Sequence, residues 1–176
     1  GGHVVLRYVA APGLTLDLDE GTLNGSLPVD PGTQLSVTVR RGETTLLSRQ
    51  TYVGSGGAFY SSLVDDAGEP LGLLEGDEVF VQPTAPAGDA VWMTVPELTV
   101  EADPETDRIS GRATPGGSLV VLAINTNIRL TGFPLGQAWP DILPSGTWNA
   151  ETVPTHNVRP GTQVWAQYRV PEGHIA

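Results

Sequence analysis

Five carboxylates crowd one short stretch: Glu97, Glu101, Asp103, Glu105 and Asp107. Asp17, Asp19 and Glu20 stand at an equivalent place near the start. Calcium takes about six to eight oxygen ligands, which clustered carboxylates between tandem β-domains can supply. Glu101, Asp103, Glu105 and Asp107 are therefore the candidate calcium ligands. Against that, no D-x-D-x-D-G loop is present. Strand alternation also puts Asp17 with Asp19, and Glu101 with Asp103, on one solvent-facing side. A solvated acidic face is the favoured reading, and no cofactor is expected. The histidines, His3, His156 and His174, show no H-E-x-x-H spacing. No G-x-S-x-G marks a nucleophile. Gly54-Ser55-Gly56-Gly57 lacks the strand-to-helix context of a nucleophile elbow or phosphate loop and reads as a turn. Nothing here points to an enzyme.

A different chemistry is suggested between Asn125 and Pro144, where Phe133, Trp139, Ile142 and Leu143 fall in what should be a loop. Exposed aromatics beside polar groups stack on sugar faces or seed a protein interface. The plainer alternative, and the first choice, is that the segment folds over a sandwich edge as a satellite core.

Composition limits the partners. The net charge is −11 and all nine Lys+Arg residues are arginine. Phosphate backbones and anionic membrane surfaces both call for clustered cations, so neither is an expected partner. No apolar run is long enough to suggest a spanning helix. Zero cysteines exclude disulfides and thiolate metal sites, and zero lysines exclude Lys–Asn isopeptide crosslinks. The 22 glycines and 15 prolines, without helical periodicity, favour short strands joined by turns.

The elements that would carry these residues repeat. Gly76-Asp77-Glu78-Val79-Phe80-Val81 runs to Gly88, Gly161 runs through Val164 and Trp165 to Gly173, and Gly1 runs through Val4 and Val5 to Gly13; each pair of glycines is spaced 88 − 76 = 12 apart. Leu14-Thr15-Leu16-Asp17-Leu18-Asp19 matches Leu98-Thr99-Val100-Glu101-Ala102-Asp103 at 98 − 14 = 84. Asn24-Gly25-Ser26 matches Ser110-Gly111-Arg112 at 110 − 24 = 86, and Gly57-Ala58-Phe59 answers Gly146-Thr147-Trp148. Matches in order along the whole length define an internal repeat. Leu14, Leu16 and Leu18 alternate with Thr15, Asp17 and Asp19, and Leu35, Val37 and Val39 alternate with Ser36, Thr38 and Arg40, as half-buried strands do. Phe59 and Trp148 are the expected core anchors. Val120 and Leu122 make their strand apolar on both sides, which predicts two-sided burial.

About seven short strands per repeat, with turns about every ten residues, predict an immunoglobulin-like sandwich. The pattern Val95-Pro96-Glu97-Leu98-Thr99-Val100-Glu101-Ala102-Asp103, then Ile109-Ser110-Gly111, Pro-Gly, Gly-x-Phe/Trp and Leu-x-x-Gly-Asp-x-Val, resembles bacterial Ig-like repeat modules of secreted and cell-surface proteins. The resemblance spans nearly the whole chain. It implies an all-β fold of tandem Ig-like β-sandwiches, an extracellular or cell-surface address and no catalytic residues. The expected map is a strand at 1–13, a first domain at 14–94 and a second at 95–176. Val79–Thr84 and Val164–Val170 close the two domains in this map. The strand Val4, Val5, Leu6, Arg7, Tyr8, Val9 is then left without a body: it is either the remnant of a preceding repeat or, the favoured reading, a donor strand for self-association with another copy. The expected function is a structural subunit of a filament, stalk or surface layer. The alternatives are a carbohydrate- or protein-binding adhesin module and the accessory domain of a secreted enzyme.

Overall fold

The computed structural model describes residues 4–10, 13–85, 87–125, 136–151, 158, 162–170 and 174–175. Among them the only helical turn is the 3-10 turn Ser55–Gly57, within the glycine stretch read above as a turn. All other regular structure among the described residues is β. The strands are β1 (Val4–Ala10), β2 (Leu14–Asp17), β3 (Thr22–Ser26), β4 (Gln34–Arg41), β5 (Thr44–Tyr52), β6 (Ala58–Ser62), β7 (Glu78–Ala85), β8 (Val91–Thr94), β9 (Leu98–Asp103), β10 (Arg108–Ala113), β11 (Ser118–Asn125), β12 (Gly136–Ala138), β13 (Thr147–Glu151), β14 (Thr162–Arg169) and β15 (His174–Ile175). By its contacts the chain divides into two compact units, Tyr8–Pro96 with Val170–Ala176, and Glu97–Arg169 with Gly1–Arg7. The sequence map puts both terminal segments elsewhere: it leaves 1–13 outside either body and assigns 170–176 to the second domain.

In the unit Tyr8–Pro96, one sheet carries the order β1-β2-β3-β6 and the other β15-β8-β7-β4-β5. β2, β3 and β6 take the places of strands A, B and E of an immunoglobulin sandwich. β5, β4, β7 and β8 take those of C′, C, F and G. The core follows from alternation. Val37 pairs with Val81, Val39 with Val79, and Val79 with Met93, and all five are buried with Leu14, Leu16, Leu23 and Leu35. The outer face of the same strands carries Phe80 stacked on Trp92 at 6.1 Å, with the Arg40 guanidinium 5.1 Å from the Phe80 ring. β4 turns into β5 through a two-residue loop whose first residue, Gly42, has φ 58. A side chain there would be strained, which is why the Arg-Gly pair marks this hairpin.

The unit Glu97–Arg169 repeats the plan with β9, β10 and β13 in one sheet and β12-β11-β14-β1 in the other. Leu98, Ile109, Leu119, Val121, Trp148, Ala150, Val164, Ala166 and Tyr168 form its core. The Tyr168 hydroxyl donates to the Thr114 carbonyl at 2.8 Å, and its ring covers Gly117 so closely that a Cβ there would clash. The matched glycines and aromatics of the two repeats meet across strands. Gly25 lies opposite Phe59, and Gly111 opposite Trp148. A Cβ on Gly25 would stand 2.5 Å from Phe59 Cε1, and one on Gly111 would stand 2.8 Å from Trp148 Cζ2 and strike the Thr99 carbonyl. Each aromatic thus fills the space a side chain would otherwise occupy, and this contact is the unit of the repeat.

Three sequence expectations are corrected here. Val79–Thr84 does not close the first domain, because β7 is followed and flanked by β8, an apolar strand that the glycine spacing hid. Asp17 is not on a solvent face: it is 2% exposed, and its carboxylate accepts the backbone N–H groups of Asp19 and Glu20. That turn ends β2 at Asp17, so Leu18 leaves the core face and is half-buried. Val120 is half-buried rather than fully packed on its second side, and the Leu122 side chain lies outside the described residues.

Candidate functional site

The acidic stretch is built from the hairpin β9–β10. Asp103 ends β9, and its carboxylate accepts the Glu105 backbone N–H at 2.8 Å and the Thr106 hydroxyl at 2.7 Å. These bonds, the Thr106 hydroxyl first, hold the Asp103 carboxyl below the usual carboxylate range. This is the role Asp17 plays in the first repeat, shifted by 103 − 17 = 86 residues rather than 84. β9 is two residues longer than β2, which explains the change of offset. Asp107 occupies the left-handed region at φ 54, while Glu101 and Glu105 are exposed. Glu97 pairs with Arg112 at 2.6 Å. Among the described residues no three His, Cys, Asp or Glu side chains converge as metal ligands. His3 and His156 lie outside the described residues, while His174 stands opposite Trp92 in the β15–β8 register.

The aromatic stretch divides. Trp139, directly after β12, is 68% exposed, and Leu143 is 50% exposed. Ile142 is half-buried, and Phe133 lies outside the described residues. Leu143 is fixed by its N–H to the Thr147 carbonyl at 2.9 Å and by the Gly146 N–H donating back to it at 2.8 Å. A satellite core does not absorb Trp139 and Leu143. Trp139 directly follows the short edge strand β12 of the unit Glu97–Arg169, and Leu143 precedes β13.

The strand Val4–Val9 belongs to β1, whose hydrogen-bonded neighbours are β14 and β2. In the unit Glu97–Arg169 it fills the place beside β14 that β8 fills beside β7 in the other unit. Residues of β14 alternate beneath it: Val164, Ala166 and Tyr168 are buried, and Gln163, Trp165 and Gln167 are half-buried.

Two features escaped the sequence reading. Asp77, 1% exposed, receives Arg41 in a two-pronged pair at 2.8 Å and 2.8 Å and the Leu74 N–H at 2.8 Å, while Arg41 also donates to the Gly72 carbonyl. Arg41 and the Leu74 N–H hold the Asp77 carboxyl below its ordinary range despite burial. Gly76 and Asp77 stand in the Leu-x-x-Gly-Asp-x-Val pattern, but the arginine that pairs with Asp77 lies 77 − 41 = 36 residues away. The second is an apolar cleft of about 270 Å³ lined by Leu27, Pro28, Val29, Pro83, Gly88, Asp89 and Val91. It is smaller than most small-molecule pockets and has one charged residue to orient a ligand.

This arrangement is an all-β chain of tandem immunoglobulin-like sandwiches. No protein-family model matches the sequence, and no curated protein matches it. Among solved structures, a tetra-tandem repeat from the extending region of a large adhesion protein aligns over 98% of this chain and 46% of its own length, at 16% identity and a TM-score of 0.34. The chain thus spans about half the length of that structure. A DUF3823 family protein from Parabacteroides merdae aligns over 85% of this chain and 78% of its own, at 13% identity and a TM-score of 0.24. Among the described residues no helix is long and apolar enough to cross a membrane.

Proposed function

We propose that this chain is a non-enzymatic structural module of an extracellular or cell-surface filament, stalk or layer, built from Ig-like repeats and joined by strand donation. The observation that carries this reading is the place of β1. The body Glu97–Arg169 is completed by a strand from a distant part of the sequence, whereas the body Tyr8–Pro96 uses the strand that follows β7 directly. A module completed by a separable strand is suited to linking bodies end to end. Negative-stain images of the full chain across a concentration series test it. Filaments or short chains of particles are expected, and single particles at every concentration would sink the reading.

A second reading is favoured by one observation, the exposure of Trp139, with Leu143 exposed as well. An exposed indole on a rigid β-scaffold is a binding element for a sugar face or a protein partner. Trp139→Ala should then abolish binding to a glycan or host-protein array without changing the melting temperature. Equal binding by both proteins would remove this alternative.

A further inference from the structure

We propose that the place beside β14 is an exchangeable strand-acceptor site, and that its ligand is β1 of a second copy of this chain. The proposal deepens the structural reading above and rests on it. In the unit Tyr8–Pro96 the equivalent place is taken by β8, joined to β7 by the short connection from Ala85 to Val91. In the unit Glu97–Arg169 no strand among the described residues after β14 takes that place, and β1 does.

The sequence around β1 is that of a closing strand. Ala11-Pro12-Gly13-Leu14-Thr15 and Val95-Pro96-Glu97-Leu98-Thr99 stand 95 − 11 = 84 residues apart, so β1 precedes β2 in the register with which β8 precedes β9. β1 therefore corresponds to β8 rather than to β7, and the body it completes lies after it in the chain. The opening Gly2-His3-Val4-Val5 also recurs as Gly173-His174-Ile175-Ala176, at 173 − 2 = 171. There β15 pairs with β8 instead. Two segments that begin alike thus lie against different strands. Recognition that uses backbone hydrogen bonds and an alternating side-chain pattern permits this.

A strand that completes a body from a remote position in its own chain can make the same pairing on another copy. Donor and acceptor are different surfaces, so the contact between copies is heterologous. Unless the rotation closes a ring, it propagates head to tail. The partner is identified by chemistry as an uncapped extended segment of alternating apolar residues, which this chain itself carries at Val4–Ala10.

The test uses the full chain. Leu6→Pro with Arg7→Pro removes two successive backbone donors, one directed to each side of β1. The probe is a fluorescein-labelled peptide of residues 1–13. It should bind the double-proline chain saturably and raise its melting temperature by several degrees. The same peptide carrying both prolines should do neither, and equal behaviour of the two peptides would overturn the acceptor site. If the variant does not fold, the wild-type chain is warmed to near its transition with the labelled peptide and cooled. Co-elution on size exclusion is then expected, and its absence also overturns the site. Light scattering on concentrated wild type after the same cycle separates site from assembly. A ladder of oligomers suppressed by free peptide supports exchange between copies, and a ladder indifferent to saturating peptide overturns it. Peptide binding by a chain that stays monomeric at every concentration leaves the acceptor site standing. It would remove the second copy as ligand, and the filament reading with it.

Discussion

Single residues set the stability of each sandwich. Asp77 is buried and its oxygens are satisfied by Arg41 and Leu74, so Asp77→Ala should cost about 1–3 kcal/mol by leaving those donors unpaired. The folded carboxyl sits below its unfolded value of about 4. Its contribution is thus complete above that value and is lost as pH falls below it toward the folded pKa. Melting curves of wild type and Asp77→Asn should differ at neutral pH and converge in acid; a gap that does not narrow as the pH falls below the unfolded value of about 4 would contradict the pairing. Tyr168 carries the opposite dependence. Burial raises its phenol above the usual value, opposed by the Gly117 backbone, so its contribution is present below about pH 10 and lost as pH rises through the folded pKa. Tyr168→Phe should remove the alkaline part of the unfolding profile. Trp148 is 1% exposed, and its indole N–H has no acceptor among the described residues. Trp148→Phe should therefore cost far less than Trp148→Ala, which should cost about 3–5 kcal/mol as other core aromatic truncations do. Equal losses would show that the N–H is bonded after all.

Strands and turns explain what the sequence disclosed. The alternation of Leu35, Val37 and Val39 was legible because burial on one face imposes period two, and the matched pairs Gly25/Gly111 and Phe59/Trp148 were legible because each aromatic needs the glycine opposite it on the neighbouring strand. Gly111→Ala tests that dependence: it should destabilise the unit Glu97–Arg169 strongly, since the Thr99 carbonyl and the Trp148 ring must both move. A melting temperature within a degree of wild type would refute it. β8 was not legible, because Val91-Trp92-Met93-Thr94 is short and apolar without alternation that separates strand from loop. Asp17 was misplaced because a hydrogen-bonded turn and a solvent-facing strand position look the same in a pattern of apolar and polar residues. The candidate site was half legible. Trp139 and Leu143 stand out by type, but the position of β1 beside β14 depends on residues more than a hundred positions away, and local pattern says nothing about that.

At the scale of the whole molecule, the excess of carboxylates makes calcium the natural question. Asp103 is already committed to its own turn, and the neighbouring carboxylates do not converge with it. Chelator, or millimolar calcium, should leave the melting temperature unchanged. A rise of several degrees with calcium would establish a bound ion that stabilises the folded chain. The division into two units also has a kinetic consequence. β8 follows β7 by 91 − 85 = 6 residues, whereas 162 − 10 = 152 residues separate β1 from β14. In an unfolded chain, closing the longer loop costs about 3 kcal/mol more in entropy. The unit Tyr8–Pro96 can therefore form its β7–β8 hairpin early, from local contacts, while the unit Glu97–Arg169 must wait for the distant β1 and β14 to meet. Two refolding phases are expected, and Trp92→Phe would leave the slower one to be followed by the remaining tryptophans. During synthesis β1 emerges before β14 and lacks that neighbour until β14 has been made. Crowded ribosomes would thus be the setting in which one nascent chain meets another's open edge.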